Sequence, residues 1–403
     1  MSGIVVVGAG QAGSSCVAKL RSLGFEGRIT LIGAEPVPPY QRPPLSKKYL
    51  LGEMELERLF LRPESYYGEQ GIDLRLNQDV TAIAPEAQQV IVGGAPLHYD
   101  ELVLTTGSVP RRLPAGIGGD LQGVHVVRNL HDVDAMTPEF QAGRHLLVIG
   151  GGYIGLEAAA VAAHRGLKVT LVEMAERILQ RVAAKETSDY FRSLHARHGV
   201  DIREGVGLER LTGETRVSGA RLSDGSEMAV DFVIAGVGIT PDTALAQAAG
   251  LTIDNGISTD EMGRTSAPHI WAAGDCASFP WRGQRLRLES VPNAIDMAES
   301  VAENIMGANK AYVPQPWFWS DQYDVKLQIA GLNSGYDRIV TRPGDGEGHV
   351  SFWYYKGDNL LAVDAMNEPR AYMVGKRLID AGKTADPAVV SDPESDLKAL
   401  LKA

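Results

Sequence analysis

Residues 150–173 read "GGGYIGLEAAAVAAHRGLKVTLVE", and residues 4–13 read "IVVVGAGQAG". In each, a glycine-rich turn passes into a helix-forming segment. Gly8, Gly10 and Gly13, and again Gly150, Gly152 and Gly155, keep the spacing G-x-G-x-x-G. In that spacing the first glycine permits a tight turn, the second lets a pyrophosphate approach the backbone, and the third lets the helix pack on the strand. The unpaired N–H groups and dipole of the helix N-terminus then favour an anion, with Ala12 and Ile154 at the approach. One copy is weak evidence, because glycine turns also serve packing. Two copies, each set between a buried strand and a helix, point to two dinucleotides.

The repetition extends well beyond the glycines. The first block continues "RITLIGAE", "GIDLRL" and "QQVIVGGAPLHYDELVLTTGSVP"; the second continues "KVTLVEMAE", "GVDIREG" and "VSGARLSDGSEMAVDFVIAGVGITP". Each predicts strand, turn, helix and a second strand closing on an acid, then a β-ribbon and a last buried strand. Apolar runs such as "IVVV", "ITLI", "LLVI" and "VTLV" lack polar alternation, as expected of parallel strands covered on both faces. The reading is an α/β fold of two Rossmann-like dinucleotide-binding domains. An amphipathic helix over Ala294–Met306 suits a return to the first sheet, so the first domain is expected to be discontinuous. From Trp317 the texture turns aromatic-rich and alternating, with a Gly-Asp turn in "VSFWYYKGDNLLAVDAMN" and a helix pattern over 369–381, which predicts a C-terminal α+β domain.

Composition narrows the function. The formal charge of −11, from 50 acids against 39 Lys and Arg, disfavours nucleic acid, whose phosphates need a large cationic surface. No apolar run approaches the length of a membrane span, and the chain passes from Met1-Ser2-Gly3 straight into "IVVV" without a basic or cleavable leader, so a cytoplasmic location is expected. His195 and His198 lie three apart on a predicted helix without a third ligand, so they read as exposed surface residues and no metal site is assigned. Glu173 follows "KVTLV" directly and is placed to accept hydrogen bonds from an adenosine ribose. It would repel a 2′-phosphate and so favours NADH over NADPH, with Arg177 nearby as the opposing charge.

The segments "PPYQRPPLSKKYL", "LVLTTGSVPR", "GGGYIGLE", "VIAGVGITP", "AAGDCA", "ESVPNAIDMAE" and "WFWSDQYDVKLQIAG" occur in this order. With them the chain resembles, over essentially its whole length, the FAD-dependent NADH:ferredoxin reductases that serve bacterial haem-thiolate monooxygenases and ring dioxygenases. The resemblance implies a glutathione-reductase-like arrangement. FAD would sit in residues 1–110 and 241–316, NADH in 111–240, and a closing domain would cover 317–403. It also implies roles. Asp275 would hold a ribityl hydroxyl of FAD, and the N–H groups around Val291 would face the flavin pyrimidine, where reduction builds negative charge. Lys47 would stand beside the isoalloxazine as a catalytic cation. Arg42 and Arg128 would contact the FAD diphosphate and adenine region, Val80 the adenine, and Trp319 the flavin. In the NADH half, Glu157 would hydrogen-bond the nicotinamide carboxamide and Tyr153 would line its entrance. One departure stands out: where relatives carry an acid after the glycine ending the second strand, this chain has Ala34 and then Glu35, so the ribose contact moves to Glu35 or weakens.

Sister enzymes of that superfamily reduce a disulfide through a close cysteine pair. Cys16 and Cys276 form no such pair in sequence and read as small packing residues. The reaction implied is therefore transfer from NADH to FAD and then, singly, to a [2Fe-2S] ferredoxin, for which flavin suits both electron counts. Arg282, Arg285 and Arg287 are candidates for a cationic docking face. A monomer is expected by resemblance. Rubredoxin reductase or NADH oxidase is the alternative within the same chemistry. An NADH-sensing interaction protein of the apoptosis-inducing-factor type is the alternative outside it, although the chain has no long insertion or basic tail for that role.

Overall fold

A computed structural model describes residues 3–402; Met1 and Ser2, where the leader reading begins, lie outside the described residues. The chain forms two compact units. One contains the chain up to Arg42, Glu55–Val109 and Ile239–Pro316; the other contains Pro43–Met54, Pro110–Gly238 and the chain from Trp317 onward.

In the first unit the strands Gly3–Val7, Arg28–Ile32, Ile72–Arg75, Glu101–Leu104 and Ile270–Ala272 form one parallel sheet with Gly3–Val7 at its centre. Every residue of Gly3–Val7 is buried, which is why its sequence shows no polar alternation. The helix Gln11–Ser22 covers one face and packs beside Val291–Ile305, with Lys19 paired to Glu303 at 2.7 Å. That second helix starts three residues earlier than its apolar pattern suggested, because Ser290 caps it through the Asn293 N–H and Pro292 is tolerated in a first turn. The hairpin Gln89–Val92/Ala95–His98 turns through Gly93 and Gly94, both at positive φ.

The second unit repeats the plan. His145–Ile149, Lys168–Glu173, Asp201–Glu204, Phe232–Ala235 and Val124–His125 form its parallel sheet. Tyr153–His164 occupies the place of the glycine-turn helix. Its apolar residues are spread around the whole circumference, so nearly every residue after the first turn is buried. The C-terminal portion is a five-stranded antiparallel sheet, Trp317–Gln322, Val325–Gly331, Asn359–Met366, Val350–Lys356 and Arg338–Pro343, covered by the helix Pro369–Asp380. The expected Gly357-Asp358 turn joins two of these strands. Among the described residues no helix is long and apolar enough to cross a membrane.

Candidate functional site

The two glycine turns are superimposable in chemistry. Gly8 and Gly150 have φ of 113° and 105°, and a side chain on Gly13 or Gly155 would bring its Cβ to 2.0 or 2.1 Å from the carbonyl oxygen of Gly8 or Gly150. Gly10 and Gly152, by contrast, face open space. Neither Gln11–Ser22 nor Tyr153–His164 carries a side-chain cap or an acid in its first turn. Elsewhere Asn129 and Asp132 form a capping box on Leu130–Met136, whereas Lys185–Arg197 and Pro369–Asp380 also start without a side-chain cap, so the open middle glycine is what sets the two cradles apart. An uncapped helix end beside open backbone fits a phosphate, and both cradles pass that test.

Around the first cradle, a Cβ on Gly274, whose φ is 82°, would lie 3.1 Å from the Ala12 Cβ and 3.8 Å from the Ala294 Cβ. Ala12, Asp275 and the start of the helix at Val291 are thereby gathered at one end of the sheet. Asp275 accepts from Ser108 Oγ at 3.0 Å. Glu35 is held by Arg42 Nη2 at 2.7 Å and by the Tyr40 hydroxyl at 2.5 Å, and Arg42 also lies over the Tyr40 ring. Backbone bonds from Asn77 N to Glu35 O and Gln78 N to Gly33 O bring the segment before Val80 to the same corner, where Ala34 is exposed. Both thiols are fully buried in this unit's core. Burial pushes Cys16 up to about 12 and raises Cys276 as well, so neither is a thiolate at neutral pH.

In the second unit Glu173 accepts the N–H groups of Gly151 at 2.7 Å and Ala175 at 2.8 Å, closing the glycine loop with its own carboxylate. Arg177, the opposing charge near Glu173, is turned onto the chain, donating to Ser188 Oγ at 2.5 Å and Ala183 O at 2.9 Å. Ile154 is exposed in the first helical turn. The Tyr153 hydroxyl is buried without a hydrogen-bond partner among the described residues, its ring 5.0 Å from Phe318, and burial holds it well above the usual phenol range.

Glu157, 3% exposed, is the most heavily bonded acid of the site. Its Oε2 accepts from Lys47 Nζ at 2.8 Å and Ser46 Oγ at 3.1 Å, while its Oε1 accepts from Ser320 Oγ at 2.7 Å. Sequence reasoning named Lys47 and Glu157 separately and missed both serines. The serines lie inside the quoted motifs "PPLSK" and "WFWSDQY", but only the packing shows their direction. That packing follows from matched spacings. Four residues of helix rise about 6 Å and two residues of strand about 6.7 Å, so Tyr153 and Glu157 on the helix meet Phe318 and Ser320 on the strand. Trp319 points to the opposite face of that strand and stacks on Trp317 at 5.5 Å. Arg128 lies next to the Leu130–Met136 capping box, where its N–H donates to Asp132.

One expectation fails. His195 is not a surface residue: it is fully buried, with Nε2 2.8 Å from Gln322 Oε1 and Nδ1 3.1 Å from the Tyr323 hydroxyl, so both ring nitrogens are satisfied inside the protein. In the arginine cluster Arg282 and Arg285 are exposed, and the side chains are partly engaged within the chain. Arg287 pairs with Glu289 at 2.7 Å and donates to Asp275 O, and Arg285 donates to Ser278 Oγ at 3.0 Å and Thr259 O at 2.9 Å. Arg282 lies over Trp281 at 4.4 Å.

Comparison with known proteins agrees with this geometry. Residues 2–298 match the family described as pyridine nucleotide-disulphide oxidoreductase, and residues 317–401 match a reductase C-terminal domain. The chain belongs to the pyridine nucleotide-disulphide oxidoreductases. The family works with FAD and NAD(P)H, and this chain is an oxidoreductase of it. It is 41% identical to the putidaredoxin reductase of Pseudomonas putida, over 99% of this chain and 97% of that one. It is 40% identical to the rhodocoxin reductase of Rhodococcus erythropolis, over 98% and 93%. It also matches the reductase in the crystal structure of the covalent putidaredoxin reductase–putidaredoxin complex, with a TM-score of 0.95 at 40% identity over 100% and 98% of the two chains.

Proposed function

We propose that this protein is an NADH-dependent, FAD-containing reductase of a [2Fe-2S] ferredoxin that feeds a haem-thiolate monooxygenase or a ring dioxygenase, and that it acts in the cytoplasm. The observation that carries the reading is the pair of uncapped glycine-turn helices, each facing open space at its middle glycine. The bound flavin supplies the step from a two-electron donor to one-electron delivery.

The first unit holds FAD. Gly8, Gly10, Ala12 and Gly13 cradle its diphosphate, Glu35 and Arg42 serve the adenosine side with Val80, and Asp275 takes a ribityl hydroxyl. The backbone at Val291 offers N–H groups to the pyrimidine. In the second unit Gly150, Gly152, Ile154 and Gly155 receive the NADH diphosphate. Glu173 accepts from the ribose and repels a 2′-phosphate, and Glu157 accepts from the carboxamide with Tyr153 beside it. Lys47, Arg128 and Trp319 are kept as flavin contacts on the strength of the family resemblance. Cys16 and Cys276 take no part in electron transfer, because their thiols are buried and protonated.

The test is steady-state reduction of a haem protein by NADH. The reading predicts a rate that depends on added [2Fe-2S] ferredoxin, with little oxygen consumed in its absence. Rapid oxygen consumption without ferredoxin would instead mark an oxidase.

A further inference from the structure

Beyond the Lys47–Glu157 pair, the second unit contains a buried line of polar groups. Ser320 Oγ lies 2.7 Å from Glu157 Oε1, Gln322 Nε2 3.1 Å from Ser320 Oγ, His195 Nε2 2.8 Å from Gln322 Oε1, and the Tyr323 hydroxyl 3.1 Å from His195 Nδ1. Ser320, Gln322 and His195 are each at most 1% exposed, and Tyr323 is pinned from outside by His198 stacked on its ring at 3.7 Å.

A single charge fixes the direction of every hydrogen bond in this line. Ionised Glu157 is acceptor-only, so Ser320 must donate to it. Ser320 has one proton, so it must accept from the Gln322 amide nitrogen. The Gln322 oxygen therefore faces His195, which must carry its proton on Nε2, and the bare Nδ1 accepts from Tyr323. Reversing any one link would set two acceptors or two donors face to face inside the protein, at a cost of about 1–3 kcal/mol. Protonation of His195 is disfavoured by burial, which lowers it to about 4 and keeps the ring neutral at physiological pH. Glu157 thus receives three donors, two on Oε2 and one on Oε1, against about four acceptor sites. The unclaimed site is on Oε1, the oxygen to which the line is attached.

We propose that Ser320, Gln322 and His195 form a one-way hydrogen-bond chain that holds Glu157 as an oriented acceptor with one Oε1 site left for the coenzyme's amide. Gln322 and His195 are then positioning residues for NADH binding. The inference rests on the proposed contact between Glu157 and the carboxamide. A glutamine amide relays protons poorly, so the chain orients and polarises and is not a proton path.

Two measurements on the FAD-loaded protein test it. Nitrogen-15 NMR of labelled histidine should find His195 as a single Nε2–H tautomer in the wild type. In Glu157→Gln, whose amide can also donate, the constraint is lifted and a tautomer mixture should appear. NADH or NAD+ titration should give dissociation constants about tenfold weaker for Ser320→Ala and for Gln322→Glu, whose carboxylate captures the Ser320 proton. The double variant should be no weaker than the worse single one, because Gln322 acts through Ser320. Far-UV circular dichroism confirms that each variant folds, and Gln322→Met provides a neutral second version of the break. An Nδ1–H tautomer in the wild type, additive losses, or unchanged affinity in the Ser320 and Gln322 variants while Glu157→Gln weakens binding would overturn the chain alone. Unchanged affinity in Glu157→Gln would overturn the carboxamide assignment and the chain's binding role with it.

Discussion

The two glycine-turn blocks share a backbone but differ in where they keep their acid. In the second block Glu173 follows the strand and bonds back to Gly151 N–H. In the first block the matching positions are Gly33 and Ala9: Val7 pairs with Ile32 as Ile149 pairs with Val172, and Gly8 N bonds to Ile32 O as Gly150 N bonds to Val172 O. A Cβ on Gly33 would lie 2.6 Å from the Ala9 Cβ, so side-chain bulk has been exchanged across the loop and no acid fits there. The acid reappears two residues later as Glu35, tied to a side chain, Arg42, rather than to its own loop. One scaffold thus holds its two acids differently, and in the proposed function the backbone-held Glu173 serves the visiting coenzyme and the Arg-paired Glu35 the resident one.

The largest expected effect is on the shared part. Gly13→Ala and Gly155→Ala both press a methyl onto a backbone carbonyl and should each cost about 3 kcal/mol or more. The first should yield protein that loses flavin; the second should stay yellow and lose NADH affinity. Absorbance of the purified variants with NADH titration checks this, and loss of flavin from both would erase the distinction between the blocks.

The units should also differ in acid response. The second unit buries His195, lowered to about 4, and Asp364, raised to about 6 by burial although it accepts from Thr187 Oγ1 at 2.7 Å and from the Tyr354 hydroxyl. Their signs oppose. The stability from neutral His195 is complete above its unfolded value near 6.5 and is lost as pH falls toward 4. That from neutral Asp364 is complete below its unfolded value near 3.8 and is lost as pH rises through 6. Each amounts to at most about 3 kcal/mol, and the two largely cancel between pH 4 and 6. Removing one should expose the other: His195→Gln should make thermal stability fall with rising pH across that window, and Asp364→Asn should make it rise. Melting curves from pH 4 to 7 decide it.

Coenzyme choice gives a smaller contrast. Glu173→Ser should narrow the preference for NADH over NADPH on the order of tenfold, whereas Glu35→Ser should leave that ratio alone and weaken FAD retention. Ratios of kcat/KM for the two coenzymes are the readout. The smallest effect tests the exchange of bulk itself: Gly33→Ala should cost about 1–2 kcal/mol, and Ala9→Gly added to it should recover most of the loss.

The duplication, both parallel sheets and the turn and packing parts of the glycine spacing were legible because buried strands and tight turns leave local signatures: an unbroken "VVV" run and fixed glycine spacing. The C-terminal hairpin was legible from its Gly-Asp turn. The surroundings of Glu157 were not, because they depend on register between a helix and a strand some 160 residues apart, seen in the Ser320 bond. His195 was misread for a related reason. It lies four residues after Phe191 on the buried face of its helix, but its polar ring suggested a surface, and only the packing shows that Gln322 and Tyr323, from a distant strand and its turn, satisfy both ring nitrogens.

The central claim, two cradles for one resident and one visiting dinucleotide, is tested most directly by anaerobic titration of the purified protein with NADH and, separately, NADPH. The account predicts a yellow protein whose flavin absorbance bleaches with stoichiometric NADH and much less readily with NADPH. A colourless protein that cannot retain FAD, or a flavin spectrum unmoved by NADH, would contradict it.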